Sequence, residues 1–411
     1  MAPILSLGDQ YAVGFLDSAD ETTVKAPLDL VLCEPARGGC GLLQMRHTLD
    51  HELLYRRYWY QSGISTTMVA ALADIAGAAT RIAGLKAGDL VVDIGCNDGT
   101  LLKQYRVQGL DRVGFEPSNL WKLAESSGAR ILNDYFNASA FRSAFGARRA
   151  RAITSIAMFY DLEDPNAFVH DITECLEPDG LWIVQMNYLG LMLTENTFDN
   201  ISHEHLEYYS LLSVEALMKR HGLEVMDVEL NDVNGGSYRI YVRRTGARIA
   251  PAPGAAQRLA TVRDDEARRG FDRREVYDAF SRRIAGIRDR VTDILLAEKA
   301  AGRRTYIYGA STRGLVVLQY AGITADLIPA AVDKNRDKWG RYIAGTGIPV
   351  IPFDDYRANP PDALLVLPYQ FKREIMLQEA DFLRRGGRMI FAMPEVSVVG
   401  AADLAALEAQ P

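Results

Sequence analysis

The sequence predicts an α/β protein with a central doubly wound sheet, a small irregular lobe before it and a second α/β unit after it. Three observations carry this prediction. Short apolar runs alternate with helical runs from about residue 66 to residue 243, and the alternation resumes after residue 300. The first apolar run of each series ends in a glycine turn, at Gly95 and Gly99 and again at Gly309 and Gly314. Pro251-Ala252-Pro253-Gly254 separates the two series as a linker. A chain of 411 residues also exceeds one compact core and suggests two or three domains.

Composition narrows the function. Apolar content of 48% and charged content of 24% are ordinary for a soluble globular protein. A net charge of −7 leaves no basic excess to neutralise phosphates, so a nucleic-acid surface is not expected. Arg148, Arg149 and Arg151, like Arg268 and Arg273, stand beside acidic residues and read as solvated faces. No apolar run reaches the ~18 residues of a membrane span, and no secretory leader opens the chain, so a cytoplasmic location is expected. Four cysteines are too few for a disulfide framework at this size.

Residues 1–65 read as an irregular lobe, with strands expected at 27–33 and near 43. Cys33 and Cys40 offer two thiolates where a tetrahedral zinc site needs four ligands. His47 and His51 are the nearest residues to complete one, and two ordinary buried cysteines are the competing reading. Tyr55-Arg56-Arg57-Tyr58-Trp59-Tyr60 is the densest aromatic run, suited to walling a pocket or to stapling two domains.

A helix is expected over residues 66–84, from Met68, Leu72, Ile75 and Ile82 at helical spacing. Val91-Val92-Asp93-Ile94 is a buried strand, followed by the turn Gly95-Cys96-Asn97-Asp98-Gly99 and a helix. About 20 residues on, a second strand ends in Glu116, where a carboxylate meets ribose hydroxyls in doubly wound sheets. The G-x-G-x-x-G spacing of dinucleotide folds is absent. The pattern D-x-G-x-x-x-G followed by a strand-end Glu resembles the S-adenosylmethionine site of class I methyltransferases. Further strands are expected at 130–132, 152–158 and 181–186. Asn133 and Asp134, just past the third, are placed to meet an adenine edge or to form a solvated loop. Residues 155–164 should face the methyl donor, because ligands bind beyond the carboxyl ends of the strands.

His203-Glu204-His205 is the richest short motif. Metal binding is disfavoured, because i, i+2 spacing points two helical side chains apart. General acid–base work suits it better, since histidine titrates near neutrality and a neighbouring Glu can fix its tautomer. Loop-stabilising polar residues are the alternative. Asn231 to Ser237 reads as a turn between strands, and Gly235 and Gly236 allow close backbone approach. After the linker, residues 258–300 form a long charged helical stretch. The second unit has strands at 305–308, 330–332, 363–367 and 389–391. Its turn brings Ser311, Thr312 and Arg313 to a helix N-terminus, suited to an anionic group such as a nucleotide diphosphate. Asp333 is followed by Lys334, Asn335 and Arg336, a setting for phosphate rather than for a second S-adenosylmethionine.

With these motifs in place, the chain resembles the sugar C-methyltransferase family essentially end to end. The matching stretches are the aromatic run ending in Ser62-Gly63, residues 93–99, His203-Glu204-His205, Gly235-Gly236-Ser237, and residues 309–314 and 333–347. The resemblance implies a zinc-binding-type lobe over 1–65 and a class I methyltransferase domain over 66–250. A linker and charged helix would follow over 251–300, then a Rossmann-like domain over 301–411 that holds much of a nucleotide. The implied reaction is S-adenosylmethionine-dependent methylation at C3 of a nucleotide-linked 4-keto-deoxysugar.

The resemblance also assigns roles. Asp93, Gly95, Asn97, Gly99, Glu116, Asn133 and Asp134 would hold the cofactor. Ser202, Asp161, Tyr208, Gly235, Gly236, Ser237, Ser311, Thr312, Arg313 and Lys334 would surround the substrate. His205 would remove the C3 proton, Glu204 would orient its imidazole, His203 would stand next in line, and Tyr58 or Tyr60 would donate to the enolate oxygen. Three departures stand out. The family's first Cys-x-x-Cys pair is missing and the second is stretched to Cys33 and Cys40, which leaves zinc without a full ligand set. Ser202 stands where the family has tyrosine, and Asp161 where it has histidine. Methylation at oxygen or nitrogen of a nucleotide sugar, or a non-catalytic binding homologue, are the other readings. Neither the sugar nor an oligomeric state follows from the sequence.

Overall fold

A computed structural model describes residues 1–12, 14–21, 23–50, 54 and 60–409. Three sheets organise it. The central sheet comprises β5 (Leu90–Ile94), β6 (Asp111–Phe115), β7 (Arg130–Leu132), β8 (Ala150–Ile156), β9 (Leu176–Asn187), β11 (Leu223–Asn231) and β12 (Ser237–Arg244). Numbered within the sheet in chain order, its seven strands lie 3-2-1-4-5-7-6. The first five run parallel, and β12 enters antiparallel between β9 and β11. All five residues of β5 are buried, as a parallel strand covered on both faces requires. The order reverses between β5 and β8, so a crevice opens beyond their carboxyl ends.

Helix Thr66–Ala83 covers one face, burying Leu72, Ile75, Ala76 and Ala79. Ser65 caps its start by accepting the Met68 N–H, and Gly84 ends it in a left-handed turn.

The N-terminal region is more regular than its sequence suggests. β1 (Ala2–Tyr11) is a ten-residue strand paired antiparallel with β3 (Lys25–Leu32), and β4 (Leu43–Met45) extends the sheet. Alternation of Ala2, Ile4 and Leu7 marks the inner face of β1, but register shifts near Ile4 and Leu7 break its period. The fourth strand, β10 (Glu207–Tyr208), comes from the central region. Conversely β2 (Phe15–Leu16) pairs with β15 (Tyr342–Ile343) in the third sheet. That sheet holds β13 (Thr305–Tyr308), β14 (Ala331–Val332), β16 (Ile348–Ile351), β17 (Ala363–Val366), β18 (Arg388–Phe391) and β19 (Ser397–Val399).

The charged stretch after the linker forms two helices, Ala255–Arg269 and Arg274–Ala300, broken at Gly270. The first is pinned by Glu266. Its buried carboxylate accepts from the Leu211 and Leu212 N–H groups and from the Tyr188 hydroxyl. The second buries Tyr277, Phe280, Ile284, Val291 and Leu295. No described helix is long and apolar enough to cross a membrane.

Candidate active site

Beyond β5 the chain turns through Gly95, Asn97 and Gly99, all at positive φ, into helix Thr100–Gln104. A Cβ on Gly99 would lie 2.9 Å from the Ala124 carbonyl oxygen, so this turn excludes any side chain there. Glu116, just past β6, is 6% exposed. Its two oxygens accept from Asn97 N–H at 2.7 Å and Ser118 N–H at 2.9 Å. Asp93 is buried and takes the Thr154 hydroxyl at 2.6 Å, and burial pushes its carboxyl up to about 7.

Asp93, Gly95, Asn97 and Glu116 line a crevice of about 220 Å³, walled by Phe115, Pro117, Tyr135 and Phe136 and reaching Asp134, Asp161 and Gln185, while Gly99 shapes the turn behind it. A buried strand-end carboxylate beside flat apolar walls suits a ribose joined to a heterocycle. Residues 60–63 strap the loop down. Ser62 N–H donates to Asn97 Oδ1 at 3.0 Å, Asn97 Nδ2 to the Tyr60 carbonyl at 3.0 Å, and Gly63 N–H to Asp98 Oδ2 at 2.7 Å.

A second cavity, of about 1080 Å³, lies beyond it, walled by all three sheets' elements. Tyr60, Met68, Ala157, Val233 and Asn234 line both spaces, so the two meet there. His205 stands in the wall of the larger one. Its Nδ1–H donates to the Asn200 carbonyl at 2.7 Å, which leaves Nε2 as an acceptor. Burial pushes the imidazole down to about 4 against that hydrogen bond, and the Arg313 charge adds to the effect. The Tyr160 ring packs edge-on against it, 4.5 Å between centroids. Tyr160 is 7% exposed and lines the same cavity, and burial holds its phenol protonated. Burial also raises the Glu204 carboxyl to about 7.

Several expected assignments change. The Asn200 carbonyl is what orients His205, the task expected of Glu204. His203 spends Nε2 on the Ala26 carbonyl at 3.0 Å, tying its loop to β3. Tyr208 is buried away from the cavity, its hydroxyl donating to the His205 carbonyl at 3.1 Å. Asn133 faces neither space, because Nδ2 donates to the Glu116 and Pro117 carbonyls. Asp161 lies on the cofactor side, and Ser202 on the side of the larger cavity. Gly235, Gly236 and Ser237 support the turn, while Asp232, Val233 and Asn234 present it to the cavity.

Ser311, Thr312 and Arg313 of the expected anion site all line the large cavity, and two of them are also spent on contacts within the protein. Ser311 Oγ accepts the Gly314 N–H as a helix cap, and Thr312 lines the cavity beside it. Arg313 is a junction rather than a free cation: Nε donates to Asp199 Oδ2 at 2.9 Å, Nη1 to the Asn234 carbonyl at 2.6 Å and Nη2 to Tyr369 Oη at 3.2 Å. Lys334 donates to Gln378 at 2.7 Å and is absent from the cavity wall. Arg373, exposed and without an ion pair among the described residues, takes its place in that wall. Tyr58 and His51 lie outside the described residues. His47 pairs with Asp29, and among the described residues no three His, Cys, Asp or Glu side chains gather as a metal site.

Comparison with known proteins decides the family. The chain is 30% identical over 405 residues to the C-methyltransferase NovU of Streptomyces niveus, spanning 97% of this chain and 94% of that one. The chain belongs to the C-methyltransferase family. A methyltransferase-domain model matches residues 68–228 of this C-methyltransferase, and a C-methyltransferase C-terminal-domain model matches 232–394. Its S-adenosylmethionine dependence follows from the family and from the methyltransferase domain. Solved structures similar to part of it include the mitomycin 7-O-methyltransferase MmcR (18% identity, TM-score 0.35, 44% of this chain and 55% of that one). Another is an S-adenosylmethionine-dependent methyltransferase from Clostridium acetobutylicum (14% identity, TM-score 0.35, 43% of this chain and 92% of that one).

Proposed function

We propose that this C-methyltransferase acts on the carbon beside the ketone of a nucleotide-linked 4-keto-deoxysugar, with His205 as base. One observation carries the reading: an imidazole held at Nδ1 by the Asn200 carbonyl, its Nε2 without a partner among the described residues, stands in a large cavity that opens onto the cofactor crevice. S-adenosylmethionine supplies a methyl group on a positively charged sulfur, an electrophile for carbon. Glu116 and Asp93, with the turn Gly95 to Gly99, would hold it.

The ketone acidifies the neighbouring hydrogen, and His205 Nε2 takes that proton. Negative charge then builds on the ketone oxygen, which needs a donor. Of the phenols on this wall, Tyr160 packs against the His205 ring and Tyr60 stands where the cavity meets the cofactor crevice. The carbanionic carbon faces the junction at Ala157 and Asn234. Arg373, in the same wall, would meet the diphosphate as a charge-assisted partner. The cavity's volume of about 1080 Å³ suits a substrate much larger than the sugar alone.

Two measurements test this. Incubating the protein with a nucleotide-linked 4-keto-deoxysugar in heavy water, without methyl donor, should exchange the hydrogen at C3. Methyl transfer without any such exchange would favour an oxygen or nitrogen acceptor. Glu116→Ala should weaken S-adenosylmethionine binding by about 1.5–3 kcal/mol, the worth of a charge-assisted hydrogen bond. Calorimetry showing unchanged affinity would place the cofactor elsewhere.

A further inference from the structure

Part of the large cavity is walled by the end of β1 and by helix Thr312–Tyr320, through Gln10, Tyr11, Leu315, Val316 and Gln319. Two of these residues lock the elements together. Tyr11 N–H donates to Gln319 Oε1 at 2.8 Å, and Gln319 Nε2 returns a longer bond to the Tyr11 carbonyl at 3.4 Å. Gln10 does something else. It is 2% exposed, and its Nε2 faces the Leu7 carbonyl at 3.4 Å. Its Oε1 is buried and has no hydrogen-bond partner among the described residues.

Turning the amide over would set Oε1 against the Leu7 carbonyl, oxygen to oxygen, so the Leu7 contact fixes which end is the acceptor. A buried amide oxygen with no donor is costly, and such groups normally find partners. The residue is also wired to the catalytic loop. Gln10 pairs in register with Ala26, whose carbonyl holds the His203 ring two residues before His205.

We propose that Gln10 determines acceptor specificity, its Oε1 accepting a hydrogen bond from an O–H or N–H of the substrate. The inference rests on the nucleotide-sugar reading and extends it. Three parts of such a molecule carry the required donor: a hydroxyl of the transferred sugar, a hydroxyl of the nucleoside's own ribose or deoxyribose, and the imide N–H of a thymine or uracil base. Leu28, Leu315 and Val316 add apolar surface to the same cavity, where a hydrogen bond shielded from water counts for more.

The test is calorimetry on the full chain saturated with S-adenosylhomocysteine, with dTDP-glucose and dTDP as probes. Gln10→Met, which keeps the length and removes the acceptor, should weaken dTDP-glucose binding by about tenfold or more. Its S-adenosylhomocysteine affinity should not move, since Gln10 is absent from the cofactor crevice. An equal loss with dTDP assigns the donor to the nucleoside, its base N–H or its deoxyribose hydroxyl, and a loss with dTDP-glucose alone assigns it to the glucose. Unchanged dTDP-glucose affinity in Gln10→Met overturns the inference. Should that variant fail to hold S-adenosylhomocysteine, the same deletions are made in the ligand, by N3-methylation of the base and removal of single hydroxyls from the glucose and from the deoxyribose. A loss from none of them also overturns it. Failure of the wild type to bind either dTDP-glucose or UDP-glucose is a different result, which removes the nucleotide-sugar reading and this inference together.

Discussion

His205→Ala should lower methyl transfer by about 10²–10⁴-fold, the usual worth of a positioned general base. S-adenosylmethionine affinity should hold, because His205 lines the large cavity and is absent from the cofactor crevice. Exchange of the C3 hydrogen with heavy water should disappear in the same variant. Exchange that persists would transfer the base role to another residue of the wall. The pH dependence supplies an independent check. The folded imidazole is pushed down to about 4 from an ordinary 6.5, so it stays neutral and competent well below pH 6.5. The acid limb of kcat/KM due to His205 should therefore fall below 6.5, and of any limb near 7, where the Glu204 and Asp93 carboxyls both stand, only the part due to Glu204 should vanish in Glu204→Gln. Stability has the corresponding sign. The unfolded chain binds the proton first, so His205 costs stability as pH falls from 6.5 toward 4, and His205→Ala should lessen that acid loss.

Much of this site was legible in the sequence, and the reason differs between its two halves. The cofactor crevice is built from one contiguous strand–turn–helix and the next strand end. Spacing alone therefore brings Asp93, Gly95 and Glu116 to one crevice, because the doubly wound topology fixes where such residues meet. The large cavity is assembled across distant parts of the chain. Nothing local to Gln10 signals that β1 packs against helix Thr312–Tyr320, since that contact spans about three hundred positions and depends on sheet pairing. Arg313 shows the same limit in reverse. A glycine turn with an arginine at a helix start reads as an anion site, yet the guanidinium is already engaged by Asp199, Asn234 and Tyr369. Tyr160 was within reach, because residues 155–164 follow the fourth strand where ligands gather. Its neighbour Asp161 drew attention as a departure from the family pattern, and the phenol did not.

Arg313→Met should then be the most destabilising of the single changes. Asp199 is 4% exposed in its side chain and faces that guanidinium at 2.8–2.9 Å. Removing one partner of a buried pair strands the other charge and commonly costs about 3–5 kcal/mol. Urea unfolding should show the loss as a lower midpoint with an unchanged slope. The pairing also has a catalytic consequence, because Asp199 immediately precedes Asn200, whose carbonyl holds His205 Nδ1. Turnover in Arg313→Met should fall even in conditions where the variant stays folded. Arg313→Lys keeps the charge but not the planar fork that reaches Asp199, the Asn234 carbonyl and Tyr369 together, so it should recover only part of the stability. The double variant Asp199→Asn with Arg313→Met removes the stranded charge and should be more stable than Arg313→Met alone. If the double variant is no better, the cost lies in lost packing between the central and third sheets rather than in an unpaired carboxylate.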